Sequence, residues 1–368
     1  MTPELIDSPT ALAELCDELS SQDCIAVDTE FARERSYYPH IGLIQIAGDA
    51  RIACIDPLAF DAKAQLSELL FDDSITKVFH ACLQDLEVLE LTLGARPCPL
   101  FDTQVATALM QDDHQLSYAR LVENELKIKL AKSETRTDWL KRPLTKAQLE
   151  YAADDVRFLL RLYKQQQTEL EELGRSGWMR EECDSLCSKP LYNQDNLSQC
   201  WTRVKGKERL RGLELAVLQQ VATWRERQAM QKDRTRKRIL PDDQVIQIAS
   251  RQPRNTSELA RIGRINRLLD MSELDSLTEA VCTAYDTPES EWPTLKRRKL
   301  TQAQVTALNS VLEQLRAKAS DLGISPGVLC NRKDAEKLVT GARDLQVLSG
   351  WRLECIGNAL LELVPFSQ

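Results

Sequence analysis

The stretch IAVDTEFARE, residues 25–34, constrains this chain more than any other. Ile25, Ala26 and Val27 suit a buried β-strand, whereas aspartate is among the residues strands avoid. Residues i and i+2 of a strand face the same side. Asp28 and Glu30 therefore stand side by side, and two neighbouring anions repel unless something positive lies between them. A divalent cation meets that need. Its other ligands must then come from elsewhere in the chain.

At 368 residues the chain is long enough for two or three domains. Charged residues at 28% and hydrophobic ones at 43% are ordinary for a soluble globular protein. The longest apolar runs, such as IGLIQIA (41–47), fall far short of a membrane span. The start, MTPELIDSPT, has neither the basic end nor the apolar core of an export signal. A cytoplasmic protein with no membrane partner is expected. Eleven cysteines invite a zinc or disulfide reading, yet the closest pair is Cys183 and Cys187, with no CxxC. His40, His80 and His114 lie far from that pair. Reduced thiols are expected throughout.

Residues 10–22 have helical apolar spacing. Three strands, CIAVDTEF, IGLIQIA and RIACIDP, then follow closely enough for an antiparallel meander. A helix at 61–70 and a short strand at 77–81 come next, and helical patterns cover 83–93 and 103–111. One long helix is predicted over 146–173, capped by Thr145. Strands followed by helices indicate a layered α/β domain. Beyond a polar stretch at 183–200 strand signals vanish, and residues 208–282 and 300–364 read as two weakly similar copies of a helical module. The expected division is a first domain over 1–182, a linker over 183–200, a helical domain over 201–290, a linker over 291–299, and a second helical domain over 300–368.

Three more acidic positions matter. Asp85 opens a helix just after a short strand, where the helix dipole alone favours an acid. Asp154 and Asp155 lie inside LEYAADDVRFLLRLY, where adjacent acids usually form a solvated face. Tyr151 and Asp155, four apart, share one face, which puts a phenol beside a carboxylate. Asp28, Glu30, Asp85 and Asp155 together form a hard oxygen-donor set suited to Mg²⁺ or Mn²⁺ rather than zinc. Two such ions can clamp the attacking and leaving oxygens of a phosphodiester.

Asp28–Thr29–Glu30, Asp85, and Tyr151 with Asp155 resemble the three motifs of the DEDD superfamily of exonucleases, in its tyrosine branch. VDTEFARERSYYPHIGLIQIA, FHACLQDLEVL, FDTQVA and RTDWLKRPLTKAQLEYAADDVRFLLRLY resemble the ribonuclease D family within it. The paired helical modules are similar to the HRDC domains that follow its nuclease domain. The resemblance implies an RNase H-like α/β 3′→5′ exonuclease domain followed by two all-α HRDC-type domains. It also implies two divalent ions, Mg²⁺ or Mn²⁺. Asp28 would bridge both, Glu30 and Asp155 would complete the inner shell, Asp85 would hold the second, and Tyr151 would orient the attacking water. Asp154 is expected on the solvent side or just behind the inner ligands, and His80 is expected to be structural or to stand behind those ligands. Phe31 and Leu83 are candidates to wedge against terminal bases, and Gln104, Trp139 and Arg142 to contact the nucleotide or backbone.

The net charge of −8 hides an asymmetry. Residues 201–267 hold 17 Lys and Arg against 7 Asp and Glu. Arg234, Arg236, Lys237 and Arg238 cluster in one turn, and Arg261, Arg264 and Arg267 recur at three-residue spacing on an expected helix face. Cations neutralising phosphates supply most non-specific nucleic-acid affinity, so RNA is the expected partner. The reading is a metal-dependent exoribonuclease releasing nucleoside 5′-monophosphates. By resemblance, its substrates are tRNA precursors with 3′ extensions and other structured RNAs. No coiled coil is visible, so a monomer is expected. A DNA 3′→5′ exonuclease and a catalytically silent RNA-binding scaffold are the alternatives.

Overall fold

The computed structural model of the chain describes residues 2–113, 115–131, 137–188, 194–295 and 300–364. His114 and parts of both expected linkers, 189–193 and 296–299, lie outside the described residues. The chain divides into two compact units. One comprises Met1–Phe31, Ile41–Lys189 and Lys299–Gln368, the other Ala32–His40 and Pro190–Arg298.

The first unit is built on a six-stranded sheet: β1 (Glu4–Ile6), β2 (Cys24–Ala32), β3 (His40–Ala47), β4 (Ile52–Ile55), β5 (Thr76–Phe79) and β6 (Leu100–Asp102). Their order across the sheet is β1-β4-β3-β2-β5-β6. β3 and β4 pair antiparallel, while β1 with β4, β2 with β5, and β5 with β6 are parallel. The expected neighbours β2, β3 and β4 therefore hold. The three-residue strands β1 and β6 escape sequence reading because so short a strand has no period to detect. The parallel pairing places Ala26 of β2 opposite Val78 of β5. Motif-bearing β2 thus lies inside the sheet, and Ile25, Ala26 and Val27 are wholly buried.

Helices α1 (Pro9–Leu19), α2 (Lys63–Leu70), α3 (Leu83–Leu93), α4 (Thr103–Met110) and α5 (Tyr118–Leu126) follow in chain order. The long helix expected over 146–173 is instead two: α6 (Lys146–Arg157) and α7 (Leu159–Glu172). Phe158 interrupts them, because its amide donates to the Tyr118 hydroxyl at 3.2 Å, out of the helical ladder. The predicted cap is present. The Thr145 hydroxyl accepts from the Gln148 amide, and the Gln148 side chain accepts from the Thr145 amide, closing a capping box.

Helix α8 (Ser176–Ser188) runs into the stretch expected to be a linker. Cys187, near its end, forms a disulfide with Cys98 just before β6. The expectation of eleven reduced thiols fails at this pair. Its partners are 89 residues apart, and spacing along the chain says nothing about such a meeting. The other nine cysteines are free.

The second unit contains α9 (Leu213–Gln231), α10 (Arg236–Ile239), α11 (Asp242–Arg251), α12 (Thr256–Ala260), α13 (Ile265–Leu268) and α14 (Met271–Asp286). Helix α9 carries the core, with Leu215, Leu218, Val221 and Trp224 packed among Val245, Ile248, Leu277 and Val281. The single helix face expected for Arg261, Arg264 and Arg267 is not formed. Gly263, at φ +55°, breaks the segment between α12 and α13, so the three arginines share exposure but not a face.

The last module, including α15 (Gln302–Leu322), α16 (Pro326–Leu329) and α17 (Arg332–Val339), belongs to the sheet-bearing unit. Arg175 donates to the carbonyls of Leu109 and Leu322. Trp178 of α8 stacks on Trp351 at 4.2 Å between centroids. The Trp351 amide and indole donate to Glu181 and Glu182, and Glu182 also pairs with Arg352. Residues 300–364 thus brace α8.

Candidate functional site

Strand β2 delivers Asp28 and Glu30, and α6 delivers Asp155. Ligand-capable oxygens of these three carboxylates all lie within 4.8 Å of one another. Each side chain is half-buried, so water screens their mutual repulsion only partly. Burial, with the charges of Asp85, Asp155 and Glu30, raises the Asp28 carboxyl well above the ordinary range. Burial with the charges of Asp155 and Asp85 pushes Glu30 up to about 8. Asp155 is pushed up to about 7 by burial and by the charges of Asp154 and Asp85. A hard divalent cation fits this set. Its donors are all oxygen, and the charge it brings is what the cluster lacks.

Asp85 stands in the first turn of α3 and is buried. One of its carboxylate oxygens accepts from both the amide and the hydroxyl of Thr29, at 3.2 and 2.5 Å. Burial still lifts Asp85 to about 7 against these bonds. The middle residue of Asp28–Thr29–Glu30 therefore orients the second motif, Asp85. Sequence reading passed over Thr29, since alternation in a strand turns attention to its neighbours.

Asp102 is a second omission. Nearly inaccessible, its Oδ1 accepts from the amides of Ala81, Gln104 and Val105, and its Oδ2 from that of Cys82. It caps α4 and at the same time pins the turn that launches α3. Ala81 sits there at φ +60°, a conformation unfavourable for a residue with a Cβ. The signal was present in FDTQVA, where an aspartate precedes a helical pattern. The ring of His80 bridges the Thr103 hydroxyl and the Leu116 carbonyl, and burial keeps it below its ordinary pKa.

On α6 the two adjacent acids part ways. Asp154 accepts from Arg157 Nε at 2.6 Å, whereas Asp155 joins the carboxylate cluster. Tyr151 lies one turn before Asp155, half-buried beside buried Trp139, with ring centroids 6.2 Å apart. Burial, with the charges of Asp155, Glu30 and Asp28, raises its phenol further, so it stays protonated. Tyr118, unremarked in the sequence, feels Asp155 and Asp28 as well and holds the end of α6 through Phe158.

The remaining predicted contacts divide. Leu83 is 55% exposed and Phe31 half-buried. Gln104 donates to the Leu116 carbonyl. The guanidinium of Arg142 is committed internally: it grips Asp56 at 2.5 and 2.7 Å and donates to the carbonyls of Gly42 and Trp139. Arg142 thus fixes Trp139, which in turn lies against Tyr151. In the helical unit Arg234, Lys237 and Arg238 are exposed. Arg236 is spent on buried Glu226 through two bonds of 2.5 Å.

Among the described residues no helix is long and apolar enough to cross a membrane. Residues 3–171 match the family model described as 3′-5′ exonuclease, and residues 214–270 match that of the HRDC domain. Ribonuclease D of Pseudomonas paraeruginosa is 36% identical over 98% of this chain and 97% of its own length. Ribonuclease D of Zymomonas mobilis is also 36% identical, over 98% and 94%. The crystal structure of Escherichia coli RNase D, described as an exoribonuclease involved in structured RNA processing, superposes with a TM-score of 0.87. It is 32% identical and covers 99% of this chain and 98% of that one. With this likeness along nearly its whole length, the chain belongs to the ribonuclease D family of 3′→5′ exoribonucleases.

Proposed function

We propose that this exoribonuclease hydrolyses the terminal phosphodiester of structured RNA at the cluster of Asp28, Glu30, Asp85 and Asp155, releasing nucleoside 5′-monophosphates. The observation that carries the reading is the meeting of Asp28, Glu30 and Asp155 within 4.8 Å. Asp28, Glu30 and Asp155 would hold two divalent ions, Mg²⁺ or Mn²⁺, with Asp85 as an outer ligand. Bound there, such ions make a water molecule more acidic and offset charge on the leaving 3′ oxygen.

The chain's own groups do the rest. Tyr151, protonated at neutral pH, orients the attacking water through its phenol. Thr29 keeps the Asp85 carboxylate aimed. Exposed Leu83, with Phe31, is suited to stack against the terminal bases. Trp139 and Arg142 act as positioning residues for Tyr151. The substrates we infer are tRNA precursors with 3′ extensions, their bodies held through phosphates by Arg234, Lys237, Arg238, Arg261, Arg264 and Arg267. Residues 300–364 would be a second HRDC-type module serving as a brace.

The test uses a 5′-labelled tRNA-like transcript with a short 3′ tail and a DNA of the same sequence, with Mn²⁺ or EDTA. The wild type should shorten the RNA in single-nucleotide steps only with the ion. Asp155→Asn should lower the rate about 10³-fold, the scale of a lost metal-centred stabilisation. An RNA bound but untouched under every ion would leave a scaffold, and faster trimming of DNA would reassign the substrate.

A further inference from the structure

The loop that leaves catalytic strand β2 belongs to the helical unit: residues 32–40 join it, although β2 and β3 on either side are strands of the sheet. Asp233, just past the end of α9, holds this loop. Its Oδ1 accepts from the amides of Tyr37 and Tyr38 at 2.9 and 3.0 Å, and its Oδ2 lies 2.7 Å from His40 Nε2. Asp233 has φ +45°, a left-handed conformation for a residue that is not glycine. Tyr37 packs on the helical core, and its hydroxyl donates to Glu226 at 2.6 Å. Arg236 grips that same glutamate and lies 5.0 Å over the Tyr37 ring.

Six residues separate Glu30 from Tyr37, and the first two of them still belong to β2. Glu30 and Asp28 sit upstream of that anchor, and His40 opens β3 downstream of it. The turn that supplies Asp233 and Arg236 also carries exposed Arg234, Lys237 and Arg238. One face of the turn is committed to the loop and the other is free for phosphates.

We propose that Asp233, with Glu226 and Tyr37, is a positioning residue for hydrolysis: the helical unit sets the path of the loop after β2 and thereby the placement of Asp28 and Glu30. RNA bound at the basic turn and order at the carboxylate cluster are then linked through one short segment of chain. The inference rests on the exonuclease site proposed above.

The experiment compares wild type, Asp233→Ala, Asp233→Asn and Tyr37→Phe in the full chain. It measures single-turnover trimming of the tailed transcript at saturating enzyme, and RNA affinity in EDTA. Asp233→Ala should trim about 10- to 100-fold more slowly, the scale of a misplaced catalytic group, with affinity within about twofold. Asp233→Asn keeps an oxygen for both amides and should recover most of the rate. Tyr37→Phe loses one hydroxyl and should show a smaller loss in the same direction. Should Asp233→Ala not fold, the other two variants decide by the same criteria. Wild-type trimming rates in all three variants, or a loss confined to affinity, would overturn the inference. A wild type that trims nothing overturns the site reading, and this inference falls with it.

Discussion

The carboxyls of Asp28, Glu30 and Asp155 are all raised, first by burial and then by neighbouring carboxylates, among which Asp85 acts on all three. An unfolded chain ionises its carboxyls near 4, whereas this site in the metal-free protein keeps protons up to about 7 for Asp85 and Asp155 and about 8 for Glu30. Between those limits the native state binds more protons than the unfolded one, so stability falls as pH rises. A divalent ion needs the ionised form and competes with those protons. Thermal melts in EDTA should therefore show a midpoint that falls from pH 5 to pH 8. Added Mn²⁺ should raise it strongly at pH 8 and little at pH 5, and Asp155→Asn should flatten both trends. Equal Mn²⁺ stabilisation at both pH values would mean the ion binds elsewhere.

Among the elements, β2, α3 and α6 each bring one motif, and buried groups from outside the motifs fix their mutual placement. Asp102 is the most heavily used of these, since four amides converge on its carboxylate. Asp102→Ala would strip the cap of α4 and leave buried donors unpaired in the turn before Asp85. We expect it to cost about 3 kcal/mol by denaturant unfolding and to slow trimming as Asp85 loses its mooring. Asp102→Asn keeps one acceptor oxygen and should lose less. An Asp102→Ala variant of wild-type stability would show that the turn is held by packing alone. The division of the expected long helix into α6 and α7 works at this scale too: Tyr118 takes the Phe158 amide, and α6 ends two residues after Asp155.

The whole molecule combines a net charge of −8 with a segment of 17 cations against 7 anions over residues 201–267. An anionic protein can approach RNA only where such an excess is concentrated. Of the four cations expected to act together in the basic turn, Arg236 is withdrawn onto Glu226, leaving Arg234, Lys237 and Arg238 exposed. Changing those three to alanine should reduce the salt dependence of RNA binding, lowering the slope of log affinity against log salt by about 2 to 3. Arg236→Ala should instead act mainly on stability, because it leaves buried Glu226 without its paired cation, with only the Tyr37 hydroxyl still donating to it. An unaltered slope in the triple variant would remove the turn from the RNA-contacting surface.

The carboxylates proposed to act in hydrolysis were legible as a set in the sequence because motif chemistry is local. Asp-x-Glu on a strand, an acid at a helix start and Tyr-x-x-x-Asp on a helix each declare themselves within five residues. The layered α/β domain, the predicted strands and the Thr145 cap were legible for the same reason, since period and capping act over a turn or two. Tertiary structure decided everything that depends on who meets whom. Thr29 reaches Asp85 across 56 positions, Cys98 finds Cys187 across 89, and Asp233 takes hold of Tyr37 across 196. It also decided which arginines are free: Arg142 and Arg236 have the same formal charge as their neighbours, but buried Asp56 and Glu226 claim them. Chain order fixes which side chains are available, and only folding sets the distances at which charges pair.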